Sequence, residues 1–293
     1  MIPFPEIRPE IVSFEVFGVE LALRWYALSY IVGFFIALFL MKRVLSRENF
    51  WGALKPPITP DDADGLLTYL IIGVILGGRL GYVIFYNSDY YFKSPIDVFR
   101  IWDGGMSFHG GFLGVIFAVL IFCWSKKSSL WSVADVVAFS APPGLFLGRL
   151  ANFINAELWG RPTLMPWGVS FPGVAAQTCP DVEGVCARHP SQLYEALLEG
   201  PALLALLIYF VYRGMLANPG FITGVFSVGY GLARFYVEYF RVPDPQFFSA
   251  DNIYGFAFSY GSIGLTMGQA LSVPMILIGL VLIWRSPVKV SSY

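Results

Sequence analysis

Two arginines, two asparagines and a glutamate lie in the stretch GRLANFINAELWGRP (148–162), which continues the apolar run VVAFSAPPGLFL (136–147). Arg149, Asn152 and Asn155 are three residues apart, and Glu157 and Arg161 are four apart, so each set shares a face if the stretch is helical. A guanidinium can hold a phosphate through two parallel hydrogen bonds, and an asparagine amide can bind hydroxyls or ester carbonyls. The stretch therefore predicts a cradle for a phospholipid headgroup.

A second polar segment, DGGMSFHGGFLG (103–114), contains His109, one of two histidines in the chain. Its glycines permit a tight re-entrant turn and a close approach of backbones. A histidine titrates near neutral pH and suits proton transfer. The alternative is a hydrogen-bonded structural histidine at the start of a helix.

Helical spacing also relates polar residues in two later segments. In GYGLARFYVEYFRVPD (229–244), Arg234, Glu238 and Arg241 share one helix face, either as a salt-bridged edge or as the wall of a pocket. In RHPSQLYEALLEG (188–200), His189 precedes a helix for which Ser191 is the expected N-cap. The residues that follow at helical spacing are Gln192, Glu195 and Glu199.

Two further polar residues lie at or within apolar runs. Tyr26, in RWYALSY (24–30), fits either an interfacial aromatic belt or a polar site. Arg79, in GGRLGYVIFY (77–86), needs a partner within the membrane, and both a structural ion pair and contact with an anionic lipid satisfy that need. Glycines at 73, 77, 78 and 81 allow a neighbouring helix to approach closely.

The composition of the chain is that of a membrane protein. Hydrophobic residues make up 56% of the 293 residues and charged residues only 13%, against about 25% in soluble domains. The net charge of −1 gives no indication of nucleic-acid binding. The N-terminus does not read as a secretory signal peptide.

Apolar runs near the ~20 residues needed to cross a bilayer predict an all-α integral membrane protein of about seven transmembrane helices. The third and seventh runs are short for a full crossing. The predicted spans are Tyr26–Met41, Leu66–Tyr86, Gly110–Trp124, Val133–Leu150, Leu193–Tyr212, Phe221–Phe240 and Leu271–Trp284. Within the fourth, Pro142 and Pro143 are expected to break or kink the helix.

Basic residues orient these spans. The cytoplasmic set predicted from the alternation is Lys42, Arg43, Arg47, Lys55, Lys126, Lys127, Arg213, Arg285 and Lys289. The N-terminus, a longer segment around 151–192 and the polar segments above then lie outside, in one transmembrane domain covering 1–293. Several arginines also lie on the outer side, and they weaken this assignment of orientation unless they have another role.

Cysteine usage and missing motifs narrow the function. Cys179 and Cys186 fit a disulfide or two free thiols about equally well, and Cys123 is expected to pack within a span. No G-x-S-x-G elbow, Walker loop, H-E-x-x-H or paired C-x-x-C is present. With two histidines, neither a metal site nor a cofactor is expected.

The chain resembles the prolipoprotein diacylglyceryl transferases, bacterial membrane enzymes that begin lipoprotein maturation. The resemblance extends over nearly the whole chain and is carried by FHGGFLG (108–114), GRLANFINAELWGRPT (148–163), HPSQLYEALLEG (189–200) and YGLARFYVEYFR (230–241). It implies transfer of the diacylglyceryl group from phosphatidylglycerol to the thiol of a lipobox cysteine in a preprolipoprotein, with release of glycerol phosphate. It also implies the bacterial inner membrane as the location.

Site residues follow from the same resemblance. The implied catalytic residues are His109, Tyr26, Arg234 and Glu238. The implied substrate-binding residues are Arg149, Asn152, Glu157 and Gly160, with Arg241 and His189 as weaker candidates within matched segments. The thiol would attack the glyceryl carbon directly, with His109 or Tyr26 accepting its proton and arginines holding the phosphate.

Two other functions are compatible with a polar membrane bundle. A transporter for a small anion predicts polar residues near the bilayer midplane, whereas these gather toward one side, Arg79 excepted. Another lipid-headgroup enzyme, such as a phospholipase, would normally need a metal cluster or a covalent nucleophile. Lipidation of a lipobox peptide by the purified protein, without added metal, discriminates among the three.

Overall fold

The computed structural model describes residues 1–16, 19–179, 184–243, 245–247, 249, 252, 254–260 and 263–286. The helices are α1 Trp25–Leu45, α2 Asp62–Phe85, α3 Ser88–Lys93, α4 Phe108–Lys126, α5 Leu130–Ser140, α6 Pro142–Ile154, α7 Val174–Gln177, α8 Ser191–Leu197, α9 Leu203–Tyr212, α10 Phe221–Val237 and α11 Met267–Arg285. The strands are β1 Ile2–Pro3, β2 Glu10–Val16, β3 Val19–Arg24, β4 Val169–Ser170, β5 Phe258–Tyr260 and β6 Ile263–Leu265.

Helices long and apolar enough to cross a membrane confirm the predicted fold class. Six such helical segments occur among the described residues, and α10 is a shorter apolar helix. The third and seventh predicted spans were too short, because α4 and α11 each extend to 19 residues. The strands among the described residues form three pairs: β1 with β4 in parallel, and β2 with β3 and β5 with β6 as antiparallel pairs.

Prolines divide two of the predicted spans. The fourth is interrupted at Ala141, where α5 ends and α6 restarts with Pro142 and Pro143 in its first turn, as expected for residues that lack an N–H donor. The fifth contains a π-helical turn, Leu198–Ala202, around Pro201 between α8 and α9. Such a turn shifts the register of the helix and is frequent at functional sites.

Glycines bring α2 and α4 together, as their spacing predicted. A Cβ atom at Gly81 would lie 2.7 Å from the Cα of Gly110, and one at Gly77 would lie 2.8 Å from the Cα of Gly114. Both separations are too short for real side chains, so this interface needs glycine on either side. The close packing fixes the start of α4, which carries His109.

The bundle has two chemically different ends. The basic end, where Lys42, Lys126 and Arg213 lie, also holds the apolar core around Trp51 and Phe122. Ion pairs join this end across helices, from Lys42 to Asp64 and from Lys126 to Asp62. The opposite end of α6, α8 and α10 carries the polar residues described below, and we call it the site end. The predicted basic residue Lys289 lies outside the described residues.

A buried carboxylate that the sequence did not single out also stabilises the basic end. Asp135 of α5 is fully buried and accepts hydrogen bonds from the backbone N–H of Gly220 at 2.7 Å and from both the N–H and the hydroxyl of Thr223, each at 2.7 Å. These N–H groups belong to the open first turn of α10, which has no partners within its own helix. Asp135 therefore caps α10 from a neighbouring helix.

Candidate active site

Charged side chains from three segments meet at the site end. Arg149 of α6 contacts Glu195 at 3.1 Å and Glu199 at 3.1 Å. Arg234 of α10 pairs with Glu195 and, at 2.9 Å, with Glu238. Arg234 lies in the last turn of α10, whereas Arg149 lies before the last turn of α6. The result is one connected group of alternating charges, which we call the arginine–glutamate network.

Arg241 completes this network from the segment that follows α10. Its Nη1 donates to Glu195 at 2.9 Å, and its Nε lies 3.7 Å from Glu238. The sequence expectation that Arg234, Glu238 and Arg241 share one face is confirmed, although α10 ends at Val237 and only Arg234 is within the helix. Of the two interpretations left open, the ion pairs match the salt-bridged edge, and the pocket wall stays a prediction.

The carboxylates of the network are more deeply buried than its arginines. Glu195 and Glu199 are 0% exposed, whereas the side chains of Arg149, Arg234 and Arg241 are 16%, 19% and 13% exposed. Among the described residues, Nη2 of Arg149, Nε of Arg234 and Nη2 of Arg241 make neither a hydrogen bond nor an ion pair. The arginines thus have one edge held by protein carboxylates and retain donors for an anionic ligand.

Asn152 links a second group of polar residues. Its amide nitrogen donates to the hydroxyl of Tyr26 at 2.6 Å and to Oε1 of Glu157 at 2.8 Å. Asn152 itself is buried. The predicted face shared by Arg149 and Asn152 is confirmed within α6, but Asn155 is the residue that ends the helix, and its buried Oδ1 has no partner among the described residues.

The loop after α6 has an unusual backbone. Ala156 and Leu158 both have positive φ angles, of 52° and 57°, which non-glycine residues rarely adopt. Two side chains at the start of α8 hold this loop: Gln192 donates to the Glu157 carbonyl at 2.6 Å, and Ser191 donates to the Leu158 carbonyl at 3.0 Å. Because α6 ends at Ile154, the predicted helical pair of Glu157 and Arg161 does not form.

The expectation that Ser191 caps its own helix was wrong. Pro190 occupies the N-cap position and makes no side-chain cap, and the Ser191 hydroxyl is used for the loop at Leu158. Ser191 is the first residue of α8 itself, one position past the N-cap, and its side chain points toward another segment. The consequence is a direct link between the start of α8 and the strained loop.

Gly160 lies where three segments cross. Its N–H donates to the carbonyl of His189 at 2.9 Å, while the N–H of Arg161 donates to the carbonyl of Phe240 at 2.8 Å. A Cβ atom at Gly160 would lie 2.7 Å from the His189 carbonyl oxygen and closer still to that of Phe240. Only glycine fits between these backbones, so the crossing requires the residue that the sequence places there.

The two histidines have different surroundings. Burial lowers the pKa of His189, whose Nδ1 lies 3.1 Å from the Tyr194 hydroxyl and whose ring packs on Phe240. His109 is exposed on the first turn of α4, next to the ring of Phe108, and makes no hydrogen bond or ion pair with any described residue. Among the described residues, neither histidine forms a hydrogen bond or an ion pair with the arginine–glutamate network.

Arg79 has neither of the two roles considered from the sequence. Its guanidinium is buried and donates to backbone carbonyls of residues 97, 98, 100, 104 and 105, at 2.6 to 3.3 Å. It also lies 5.2 Å from the ring centre of Tyr91. Arg79 therefore organises the segment that leads into α4, using backbone oxygens as its partners rather than a carboxylate or a lipid.

Arg188 organises the outer loop in the same way. It donates to the carbonyls of Ala176 at 2.5 Å, Thr178 at 3.0 Å and Gly160 at 3.3 Å, and stacks on Trp159. Of the two alternatives for the outer cysteines, the structure has the disulfide, with a Cα separation of 6.2 Å. Cys123 is buried in α4, as expected.

Three residues of this site are not among the site residues that the family resemblance implied. Glu195, Glu199 and Gln192 are fully buried, and two of them hold the arginines. Their helical spacing was visible, but spacing alone does not show which partners face them. No group of three or more His, Cys, Asp and Glu residues suited to a metal ion occurs in the described part of the chain.

Comparison with known proteins identifies the family of this chain. The sequence model of the prolipoprotein diacylglyceryl transferase family matches residues 12–285. Proteins named phosphatidylglycerol–prolipoprotein diacylglyceryl transferase are similar over nearly their full lengths. The protein of Cereibacter sphaeroides is 58% identical to this chain, over 97% of this chain and 98% of its own length. The protein of Roseobacter denitrificans is 56% identical over 97% of both chains. The protein of Brucella anthropi is 46% identical over 97% of this chain and 94% of its own length. This chain belongs to the prolipoprotein diacylglyceryl transferase family.

Proposed function

We propose that this chain transfers the diacylglyceryl group of phosphatidylglycerol to the thiol of the lipobox cysteine of a preprolipoprotein, and releases glycerol phosphate. The names of its relatives give this donor and acceptor. The observation that carries the proposal is the arginine–glutamate network at one end of membrane-crossing helices. There, an amphipathic lipid can keep its tails in the bilayer while its phosphate meets the arginines.

The chemistry requires little beyond positioning and charge stabilisation. The thiol sulfur attacks the glyceryl carbon next to the phosphate, a C–S bond forms, and the C–O bond to phosphate breaks with its electrons on oxygen. The thiol proton is lost to a base. Because a singly charged phosphodiester becomes a phosphate monoester with a further negative charge, donors aimed at the leaving oxygen lower the barrier.

Arg149 and Arg234 are proposed to hold that phosphate, with Arg241 beside them. Each is fixed along one edge by Glu195, Glu199 or Glu238 and keeps unpaired donors on a partly exposed side chain. Donors that are already oriented need no reorganisation as charge develops. Glu238 is proposed to act by holding Arg234.

Asn152, Tyr26 and Glu157 are proposed to bind the glycerol part of the headgroup. Their hydrogen bonds place a hydroxyl, an amide and a carboxylate together beside Arg149, which is one turn before Asn152 on α6. These groups match the hydroxyls of a glycerol moiety, both as donors and as acceptors. Gly160 fixes the loop that carries Glu157.

His109 is proposed to accept the thiol proton. Its ring is exposed and has no hydrogen-bonding partner among the described residues, so both nitrogens are available to a substrate. A protonated imidazole cannot accept a further proton, so the rate should fall when the solution is acidified. His109→Gln should remove this pH dependence along with most of the rate. An unchanged pH profile in the variant would transfer the role to Tyr26. His189, held by Tyr194, is proposed only to support the site.

The chain is a multi-pass membrane protein, and we propose that it lies in the bacterial inner membrane with its N-terminus in the periplasm and its C-terminus in the cytoplasm. The site end then faces the compartment where an exported lipobox emerges. A membrane-impermeant thiol reagent, applied to intact cells after mild reduction on a Cys123→Ser background, should label Cys179 and Cys186. Ser128→Cys, at the basic end, should stay unlabelled; labelling there alone would invert the topology.

The test of the function is lipidation of a synthetic lipobox peptide by purified protein in mixed micelles of phosphatidylglycerol, without added metal. The peptide should gain the mass of one diacylglyceryl group, and a peptide with serine in place of cysteine should gain none. Arg149→Ala and Arg234→Ala should each reduce turnover about 10²–10³-fold. Arg213→Ala, at the basic end, serves as the matched control. Absence of product with wild-type protein, or full activity of both site variants, would contradict the proposal.

A further inference from the structure

A single carboxylate, that of Glu195, contacts three arginines. Its Oε1 accepts from Arg234 and, at 2.9 Å, from Arg241, and its Oε2 lies 3.1 Å from Nη1 of Arg149. These arginines come from α6, from α10 and from the segment after α10. Among the described residues, no other side chain forms ion pairs with all three.

The other two carboxylates of the network each contact fewer arginines than Glu195 does. Glu199 reaches Arg149 alone, through Oε2 at 3.1 Å, and its second oxygen has no partner among the described residues. Glu238 contacts Arg234 and Arg241 but not Arg149. Loss of Glu199 or Glu238 would therefore leave all three arginines joined through Glu195, whereas loss of Glu195 would separate Arg149 from the other two.

Three guanidinium groups in one place repel one another, and each is a long side chain with several rotamers. Glu195 offsets both effects because it is fully buried, on the first turns of α8, and has no exposed surface through which water could replace its partners. Buried charges of this kind are retained only where hydrogen bonds and opposite charges surround them. The position of each arginine thus depends on the same anchor.

We propose that Glu195 is the positioning residue of the phosphate site: its carboxylate holds Arg149, Arg234 and Arg241 at fixed separations, so that their remaining N–H groups converge on the phosphate of an anionic lipid. This inference rests on the proposed function and names the residue that organises it. Glu195 does not touch the substrate in this scheme, and its effect passes through the arginines.

Charge and position make opposite predictions for Glu195→Gln. The change removes a negative charge from the network, so attraction of an anionic headgroup would strengthen if net charge alone mattered. If position matters, the uncoupled arginines should bind the headgroup less well. We expect kcat/KM for phosphatidylglycerol to fall about 10²-fold per folded molecule. Phosphatidylglycerol should raise the thermal midpoint of the wild-type protein more than phosphatidylcholine does, and this difference should be smaller in Glu195→Gln.

Two further variants keep the test independent of folding. Glu195→Asp keeps the charge on a shorter side chain, and should fold like wild type with an intermediate rate. Asp135→Asn removes an equally buried carboxylate from the basic end, and should lower the thermal midpoint without changing the rate per folded molecule. The amount of folded protein is measured by size-exclusion chromatography in detergent.

An unchanged kcat/KM in Glu195→Gln would overturn the inference. The inference would also be overturned if Glu195→Gln lost activity only in proportion to its loss of folded protein, as expected for Asp135→Asn, and if Glu195→Asp restored none of the activity. If wild-type protein fails to lipidate the peptide, the proposed function is wrong. The positioning role of Glu195 is then tested by headgroup binding alone. A preference for phosphatidylglycerol that disappears in Glu195→Gln would still support the positioning role, and a preference that persists would refute it.

Discussion

Replacement of Gly160 by alanine tests how closely the outer segments must approach one another. The new methyl group would lie 2.7 Å from the carbonyl oxygen of His189 and 2.8 Å from its Cβ, whereas an ordinary contact begins at 3.4 Å. The neighbouring segments would have to separate by at least about 0.7 Å, since neither obstacle is the end of a flexible side chain.

That separation has an energetic and a kinetic consequence. It strains the hydrogen bonds from Gly160 to His189 and from Arg161 to Phe240, each of which contributes about 1 kcal/mol. With the strain of overpacking, we expect a loss of about 1–3 kcal/mol and a thermal midpoint lower by roughly 2–10 °C. Because Arg241 directly follows Phe240, the displacement also reaches the network, and turnover should fall about 10–10²-fold.

The assay combines thermal unfolding in detergent with the initial rate of peptide lipidation, normalised to folded protein. Gly144→Ala is the matched control, because a Cβ atom there meets nothing within 4 Å and alanine favours a helix by about 0.5–1 kcal/mol. A Gly160→Ala protein with wild-type midpoint and rate would refute the steric argument. Equal damage from Gly144→Ala would show that the effect is not specific to the crossing.

Three other predictions concern Asn152, Arg79 and the outer disulfide. Asn152→Ala removes the amide that joins Tyr26 to Glu157, and should lower lipidation about 10²-fold; a rate within twofold of wild type would contradict its role. Arg79→Lys offers fewer donors to the five carbonyls, so hydrogen exchange in residues 94–106 should quicken, and unchanged protection there would contradict the contact set. Reduction of the outer disulfide should destabilise its loop by roughly 2–3 kcal/mol, seen as faster exchange in residues 174–179 and 184–189 while α2 is unaffected; equal protection in both states would refute it.

The order of the membrane helices was predictable because lipid leaves the backbone few choices. An apolar run must satisfy its own N–H and C=O groups, so length and hydropathy fix where helices lie. The interruption at Pro142 and Pro143 was predictable for the same reason, since proline lacks the donor. The ends of α4 and α11 were misjudged because interfacial residues extend a helix beyond its apolar part.

Partners of polar residues were much harder to predict than positions. Arg79 was expected to find either a carboxylate or a lipid, but it uses backbone carbonyls supplied by residues up to 26 positions away. Ser191 was expected to cap its own helix, but the loop at Leu158 recruits its hydroxyl. Spacing defines a helix face; which segment lies opposite that face depends on how the helices pack.

The sequence by itself determined the class of fold, the polar segments and the family, because each is encoded in local composition and in motifs such as GRLANFINAELWGRPT (148–163). Only the tertiary structure decided that Glu195 joins three arginines, that the outer cysteines are paired and that Gly160 lies between three backbones. Most of these contacts join residues that are far apart in the sequence. Arg234 and Glu195 are 39 positions apart, and Arg161 and Arg241 are 80 apart. No local pattern can fix such distances, because they are set by the packing of whole helices against one another.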